Sequence, residues 1–201
     1  MLIISSILDH LFHERTKVCI NPFREVRVLF NEMLSSHIKK SQKITESYGI
    51  DFHAGREVGR CAPYPEIYRD TQFGFVLYVR SVSSNIPIAF IGFDKKSTYL
   101  FVRQLQGVPG MKEYLRPLHY EQLLYRAVVL FGRKLGVKEI RVLPSFLSGY
   151  NPLKKGVVAE ELSFAECGAR AMRLHLIYDK ESQKCGFKWV ERTRTYTFAL
   201  S

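Results

Sequence analysis

Hydrophobic residues recur at helical spacing near the start of the chain, alternate with polar ones from about residue 72, and return to helical spacing after residue 119. The first helical stretch holds Leu2, Ile3, Ile7, Leu8, Leu11 and Phe12, which predicts an amphipathic helix packed on the body. The second opens with Asn21 as an N-cap and Pro22 at the first helical position. Phe23, Val26, Phe30, Met33, Leu34 and Ile38 then form one stripe. The run "SYGIDFHAGREVGRCAPYPEIYRD" mixes Gly, Pro and Tyr without a period and is expected to be a long irregular connection with at most a short strand.

Three β-rich runs follow, "FGFVLYVRSV", "IPIAFIGFD" and "TYLFVRQLQGV", separated by the short polar turns "SSN" and "KKS". They predict an antiparallel three-stranded meander. Strict alternation in the third would put Tyr99, Phe101, Arg103 and Leu105 on one face, and Leu100, Val102, Gln104 and Gln106 on the other. The clearest helix is "HYEQLLYRAVVLFGRKLG", with Tyr120, Leu123, Leu124, Ala127, Val128, Phe131 and Leu135 in one stripe and Gly136 suited to close it. The buried strand "VKEIRVLP" comes next, and strand–helix–strand order implies a right-handed crossover with local parallel pairing. After a polar segment from Ser148 to Gly168, "RAMRLHLIYDKESQKCGFKW" predicts a helix ending near Gly186, and "TRTYTFAL" a final strand.

At 201 residues and 46 % apolar content, the chain is expected to form one globular domain: residues 1–70 an N-terminal helical and irregular extension, residues 71–201 a sheet core with the crossover helix. The expected fold class is α+β, a mixed and mostly antiparallel central sheet with flanking helices. No apolar run is long enough to span a membrane, and the apolar N-terminus lacks a basic leader, which points away from secretion. Cys19, Cys61, Cys167 and Cys185 form no C-x-x-C pair, so reduced thiols in a cytoplasmic protein fit better than a zinc knuckle or a disulfide scaffold. His10 and His13 lie one helical turn apart with no acidic or cysteine ligand nearby in sequence, so no metal is expected.

The net charge is +11. Residues 1–100 carry 13 Lys and Arg against 10 Asp and Glu, and residues 101–201 carry 17 against 9. An anionic ligand or partner is therefore to be sought in the second half. The stretch "WVERTRTYTF" interleaves aromatic and basic residues, as a nucleic-acid-binding face does, though strand alternation accounts for it equally.

From about Gln72 to Leu200 the order of elements resembles the GNAT acyltransferase superfamily. The stretches "YLFVRQLQGVPG", followed by a helix and "GVKEIRVLP", and "YDKESQKCGFKW" carry the likeness. The resemblance implies an acyl-CoA-dependent N-acyltransferase with acetyl-CoA or another acyl-CoA as cofactor and an amine as acceptor. It implies a Q/R-x-x-G-x-G/A loop whose amides, at a helix N-terminus, hold the cofactor's pyrophosphate. On this chain that loop is carried by Gln104, Gln106, Gly107, Val108 and Gly110, with Lys112 beside them; Pro109, which has no N–H, departs from the pattern. The resemblance also implies a tyrosine that protonates the leaving thiolate four residues before the Gly-Phe glycine. That position here is Ser182, and Tyr178, one turn earlier, is the candidate. Cys185 reads as an inert core thiol, and Glu121 as a poor base because the helix dipole would lower its pKa. The alternative is a catalytically inactive domain of the same fold that binds nucleic acid or a protein through its basic C-terminal half.

Overall fold

The computed structural model describes residues 23–35, 48–54, 59–61, 64–81, 84–148, 151–152 and 164–200. The expected first helix, Asn21, Pro22, His10 and His13 lie outside them.

Helix α1 covers 23–35 and buries Phe23, Val26, Phe30 and Leu34, the stripe its spacing dictates. Where an irregular connection was expected, the chain forms three strands: β1 (Tyr48–Ala54), β2 (Gly59–Cys61) and β3 (Tyr64–Arg69). The meander follows as β4 (Phe73–Arg80), β5 (Asn85–Lys95) and β6 (Tyr99–Gly107). A short turn of helix, α2 (Lys112–Leu115), precedes the crossover helix α3 (Tyr120–Lys134) and β7 (Glu139–Val142). Helix α4 (Phe164–Leu174) runs without a break through a π-helical segment, His175–Lys180, into α5 (Glu181–Lys184). Strands β8 (Lys188–Val190) and β9 (Thr195–Ala199) complete the order.

The main sheet has seven strands in the order β1-β4-β5-β6-β7-β9-β8, and β2 with β3 makes a separate two-stranded hairpin. Every pairing in the main sheet is antiparallel except β6 with β7. That parallel pair is the one the strand–helix–strand pattern predicts, because only a crossover through α3 can bring β7 alongside β6 in the same direction. The fold is thus α+β, with a mostly antiparallel sheet.

One sheet face, with Phe73, Phe75, Leu77, Ile91 and Phe93, packs under α1 and α3. At its centre the rings of Phe75 and Phe93 lie 5.3 and 5.6 Å from that of Phe131 on α3, and Phe23 of α1 lies 5.7 Å from Phe75. The opposite face carries Val76 and Phe90, which form a smaller cluster with Tyr64 and Ile67 of the hairpin. Gly74 is required between these layers: a Cβ there would come 2.3 Å from the Phe90 ring and 2.7 Å from the Ile91 carbonyl. Among the described residues no helix is long and apolar enough to cross a membrane.

His53 on β1 is held neutral. Burial, and then the nearby Arg69 charge, pull its pKa from 6.5 down to about 4. Between those values the unfolded chain binds the proton and the folded one does not, so stability falls as pH drops through the window. In His53→Gln that part of the acid sensitivity disappears. The loss of urea midpoint between pH of about 7.5 and about 5 should be smaller in the variant than in the wild type; equal losses would refute the assignment.

Candidate functional site

Strand β6 determines the site. It pairs with β5 along its length, but Gly92 pairs with Gln104 while Phe93 pairs with Val102, so Arg103 is the extra residue of a β-bulge. The bulge breaks the strict alternation expected from sequence. Leu100, Val102 and Leu105 all join the core under the helices, whereas Gln104 and Gln106 turn toward β3. The freed Arg103 side chain pairs with Asp94 at 3.2 Å and lies 3.9 Å from Asp70.

On its other flank β6 pairs with β7 only from Tyr99 to Val102. The last rung beyond the ladder is the Leu143 N–H, which donates to the Val102 carbonyl at 2.9 Å. From Arg103 onward the two strands separate, and consecutive residues of the π-helical segment enter the gap. The Leu105 N–H donates to Tyr178 Oη at 2.9 Å, and that hydroxyl donates to the Arg103 carbonyl at 3.3 Å. On the β7 side, the Ser145 N–H and Oγ–H donate to the two Asp179 carboxylate oxygens at 3.0 and 2.6 Å. Backbone groups that the strands no longer offer each other are thus satisfied by one tyrosine and one aspartate. Asn151 steadies the same turn by donating from Nδ2 to the Ser145 carbonyl.

Two adjoining cavities flank the gap. One, of about 480 Å³, lies along Gln104–Gly107 of β6 and is closed by Arg170, Arg173, Leu174, Ile177 and Tyr178. The other, of about 800 Å³, lies under the loop Val108–Gly110 and is lined by Lys112, Arg116, His119, Tyr120 and Arg173. Gly107, Arg173 and Ile177 border both. All seven residues singled out from sequence therefore line this pair of cavities, although their roles within it differ.

The Gln104 and Gln106 side-chain amides both donate to the Tyr68 carbonyl, and Gln104 Oε1 accepts from the Asp70 N–H. Those amides anchor the hairpin. The Val108 N–H donates to the Ile88 carbonyl at 2.7 Å and is engaged within the sheet. Gly110, at φ +83°, makes the left-handed turn that Pro109 cannot make. Gly107 sits beneath α2 and α3: a Cβ there would come 2.8 Å from Leu115 Cδ1 and 3.3 Å from Tyr120 Oη. Lys112 is exposed at the head of α2, which stands between the loop and α3.

Tyr178 is 1 % exposed, lies in the π-helical segment and reaches β6 with its hydroxyl. Tyr178, the candidate one turn before Ser182, is the residue that stands at the gap. Ser182 is instead buried, with Oγ donating to the Asp179 carbonyl.

Glu121 departs from expectation. It lies in the first turn of α3, but burial raises its pKa and outweighs the lowering by local hydrogen bonds, including the one from Tyr120. Its carboxyl is thus a better proton acceptor than helix position alone implies. Burial pushes the Cys185 thiol up to about 11, which keeps it protonated and inert. Cys167 and Cys185 are free thiols. Asp179, Ser145 and His175, which meet at the gap, carry no spacing signal: Ser145 and Asp179 are 34 residues apart. Among the described residues no group of three or more His, Cys, Asp or Glu is placed to hold a metal ion.

No protein-family model matches the chain, and a search of the curated proteins likewise finds no match.

Proposed function

We propose that the protein is an acyl-CoA-dependent N-acyltransferase of the GNAT type, acting on an amine. The observation that carries this reading is the divergence of β6 from β7 beyond Val102, with a cavity running along the released edge. The sheet order, with its single parallel pair spanned by α3, and the β6 bulge support it.

The cavity residues fit such a cofactor in chemistry. Lys112, Arg116 and Arg173 offer cationic groups to phosphates, and Leu105, Leu174 and Ile177 an apolar wall to an acyl chain. An acyl-CoA supplies an activated thioester carbonyl. In this reading the Leu105 N–H is the donor for the thioester oxygen once the Tyr178 hydroxyl gives it up. The same hydroxyl then donates its proton to the leaving thiolate.

A second reading, a non-catalytic domain that binds nucleic acid or protein through its basic half, draws support from the Leu105 and Val108 amides. Both already have partners within the protein.

Calorimetric titration with acetyl-CoA tests the choice. Saturable binding is expected in the wild type and its loss in Gly107→Glu, which forces Leu115 aside and puts a carboxylate between the two cavities. Absence of heat at millimolar acetyl-CoA would refute the first reading. Salt-dependent binding of arbitrary DNA or RNA in its place would establish the nucleic-acid form of the second, with log K falling linearly against log salt.

A further inference from the structure

Asp179 is 4 % exposed, and its carboxylate accepts the Ser145 N–H and Oγ–H at the end of β7. A third partner comes from one turn back on the π-helical segment: His175 Nδ1 lies 2.6 Å from Asp179 Oδ2. Among the described residues this imidazole is the one basic side chain in ion-pair range of Asp179. A buried carboxylate with no lysine or arginine is stable only when its lone pairs are taken by donors. A carboxylate accepts from an imidazole N–H, so the contact points to Nδ1 as the donor. The contact orients the ring, with Nε2 directed away from Asp179. The side chain is 43 % exposed.

An imidazole fixed in this way is a preformed proton acceptor. A buried carboxylate orients the ring, and the side chain remains part-exposed. The arrangement stands beside the β6–β7 gap, since residue 178 of the same segment bonds β6 and residue 179 bonds the turn after β7. The hydroxyl of Ser145 is no nucleophile for this pair, because it donates to Asp179 and not to the imidazole.

We propose that His175 is the proton-accepting group of the site and that Asp179 is its positioning residue. This rests on the acyl-transfer reading. There, the acceptor nitrogen bonds the acyl carbon, gives its proton to His175 Nε2, and the carbon–sulfur bond breaks as the thiolate takes the Tyr178 proton.

The test does not depend on a bound cofactor. p-Nitrophenyl acetate reports on an accessible, unprotonated imidazole nitrogen: Nε2 attacks the ester carbonyl, p-nitrophenolate leaves, and water then releases acetate from the ring. His175→Gln, a change at a part-exposed position, is expected to lower p-nitrophenolate release several-fold with an unchanged circular dichroism spectrum. Asp179→Asn is expected to lower it as well. In nitrogen-15 spectra of the labelled protein, neutral wild-type His175 should carry its proton on Nδ1, a preference weakened in Asp179→Asn. Equal release by wild type and His175→Gln, or a wild-type proton on Nε2, would overturn the assignment, and both readouts stand if Asp179→Asn fails to fold. A positive result here with no heat in the acetyl-CoA titration would remove the acyl-CoA reading and leave the imidazole pair in place.

Discussion

Phe131→Ala is expected to lower folding free energy by about 3–5 kcal/mol, as large-to-small changes at fully buried aromatics do. The ring is inaccessible to solvent and packs α3 against three strands of the main sheet. It meets Phe75 edge-on at 5.3 Å, Phe93 at 5.6 Å and Phe52 of β1 at 5.8 Å. Removing it opens a void under α3 that the surrounding rings, each fixed on a different strand, cannot fill by moving together. Typical domains are stable by about 5–15 kcal/mol, so the variant should lie near the edge of folding. Urea denaturation followed by far-ultraviolet circular dichroism measures this. A loss below about 1 kcal/mol, as for a surface substitution, would mean that α3 does not pack on the sheet as described.

Tyr178→Phe keeps the ring and removes one oxygen. The Leu105 N–H then loses its acceptor in a buried place, which costs about 1–3 kcal/mol. The Arg103 carbonyl loses a longer bond as well. If the protein transfers acyl groups, the same change also removes the proton donor, and turnover should fall by about a hundredfold or more. The two effects separate cleanly. Denaturation midpoints read the first; thiol release from acetyl-CoA in the presence of an amine reads the second. A variant as stable as the wild type would refute the hydrogen bond across the gap. A variant of reduced stability but undiminished turnover would restrict Tyr178 to holding the strands.

Much of the sheet was legible from residue type alone. β-Branched and aromatic runs marked β4, β5 and β6, and the seven-residue stripe of α3 was found at the positions that bury it, with only Leu135 half-buried. Gly136 and Gly186 close their helices at φ +66° and +89°. The parallel pairing of β6 with β7 followed from chain order. Strand β1 was hidden because "YGIDFHA", an edge strand, buries its first three residues and leaves the rest half-buried, so it shows no alternation. The hairpin β2–β3 is short and carries a register shift.

The stretch from Gln104 to Lys112, singled out through the resemblance, lines the two cavities, but the contacts of each residue were not legible. A β-bulge is one residue without a partner, and nothing about Arg103 as a residue type announces it. Its insertion turned both glutamines away from the helices and toward the Tyr68 carbonyl. Tyr178 was named from sequence, but the π-helical segment that carries it was not legible there. Glu121 was misjudged because its helix position is local information, whereas its burial depends on elements far away in the chain.

The place of β9 in the sheet bears on how the protein assembles during synthesis. It follows every other described strand in chain order yet occupies an interior position, hydrogen-bonded to β7 on one flank and β8 on the other. Until the ribosome has delivered Thr195–Ala199, β7 presents a bare flank and β8 has no neighbour at all. The nascent chain can zip the hairpins from β4 to β6 early, since their loops are short, but this half of the sheet is complete only when β9, paired with β8, adds to the free flank of β7. A stalled or prematurely released chain ending before Thr195 would therefore carry an open strand edge, the kind of surface that chaperones bind and that seeds aggregation.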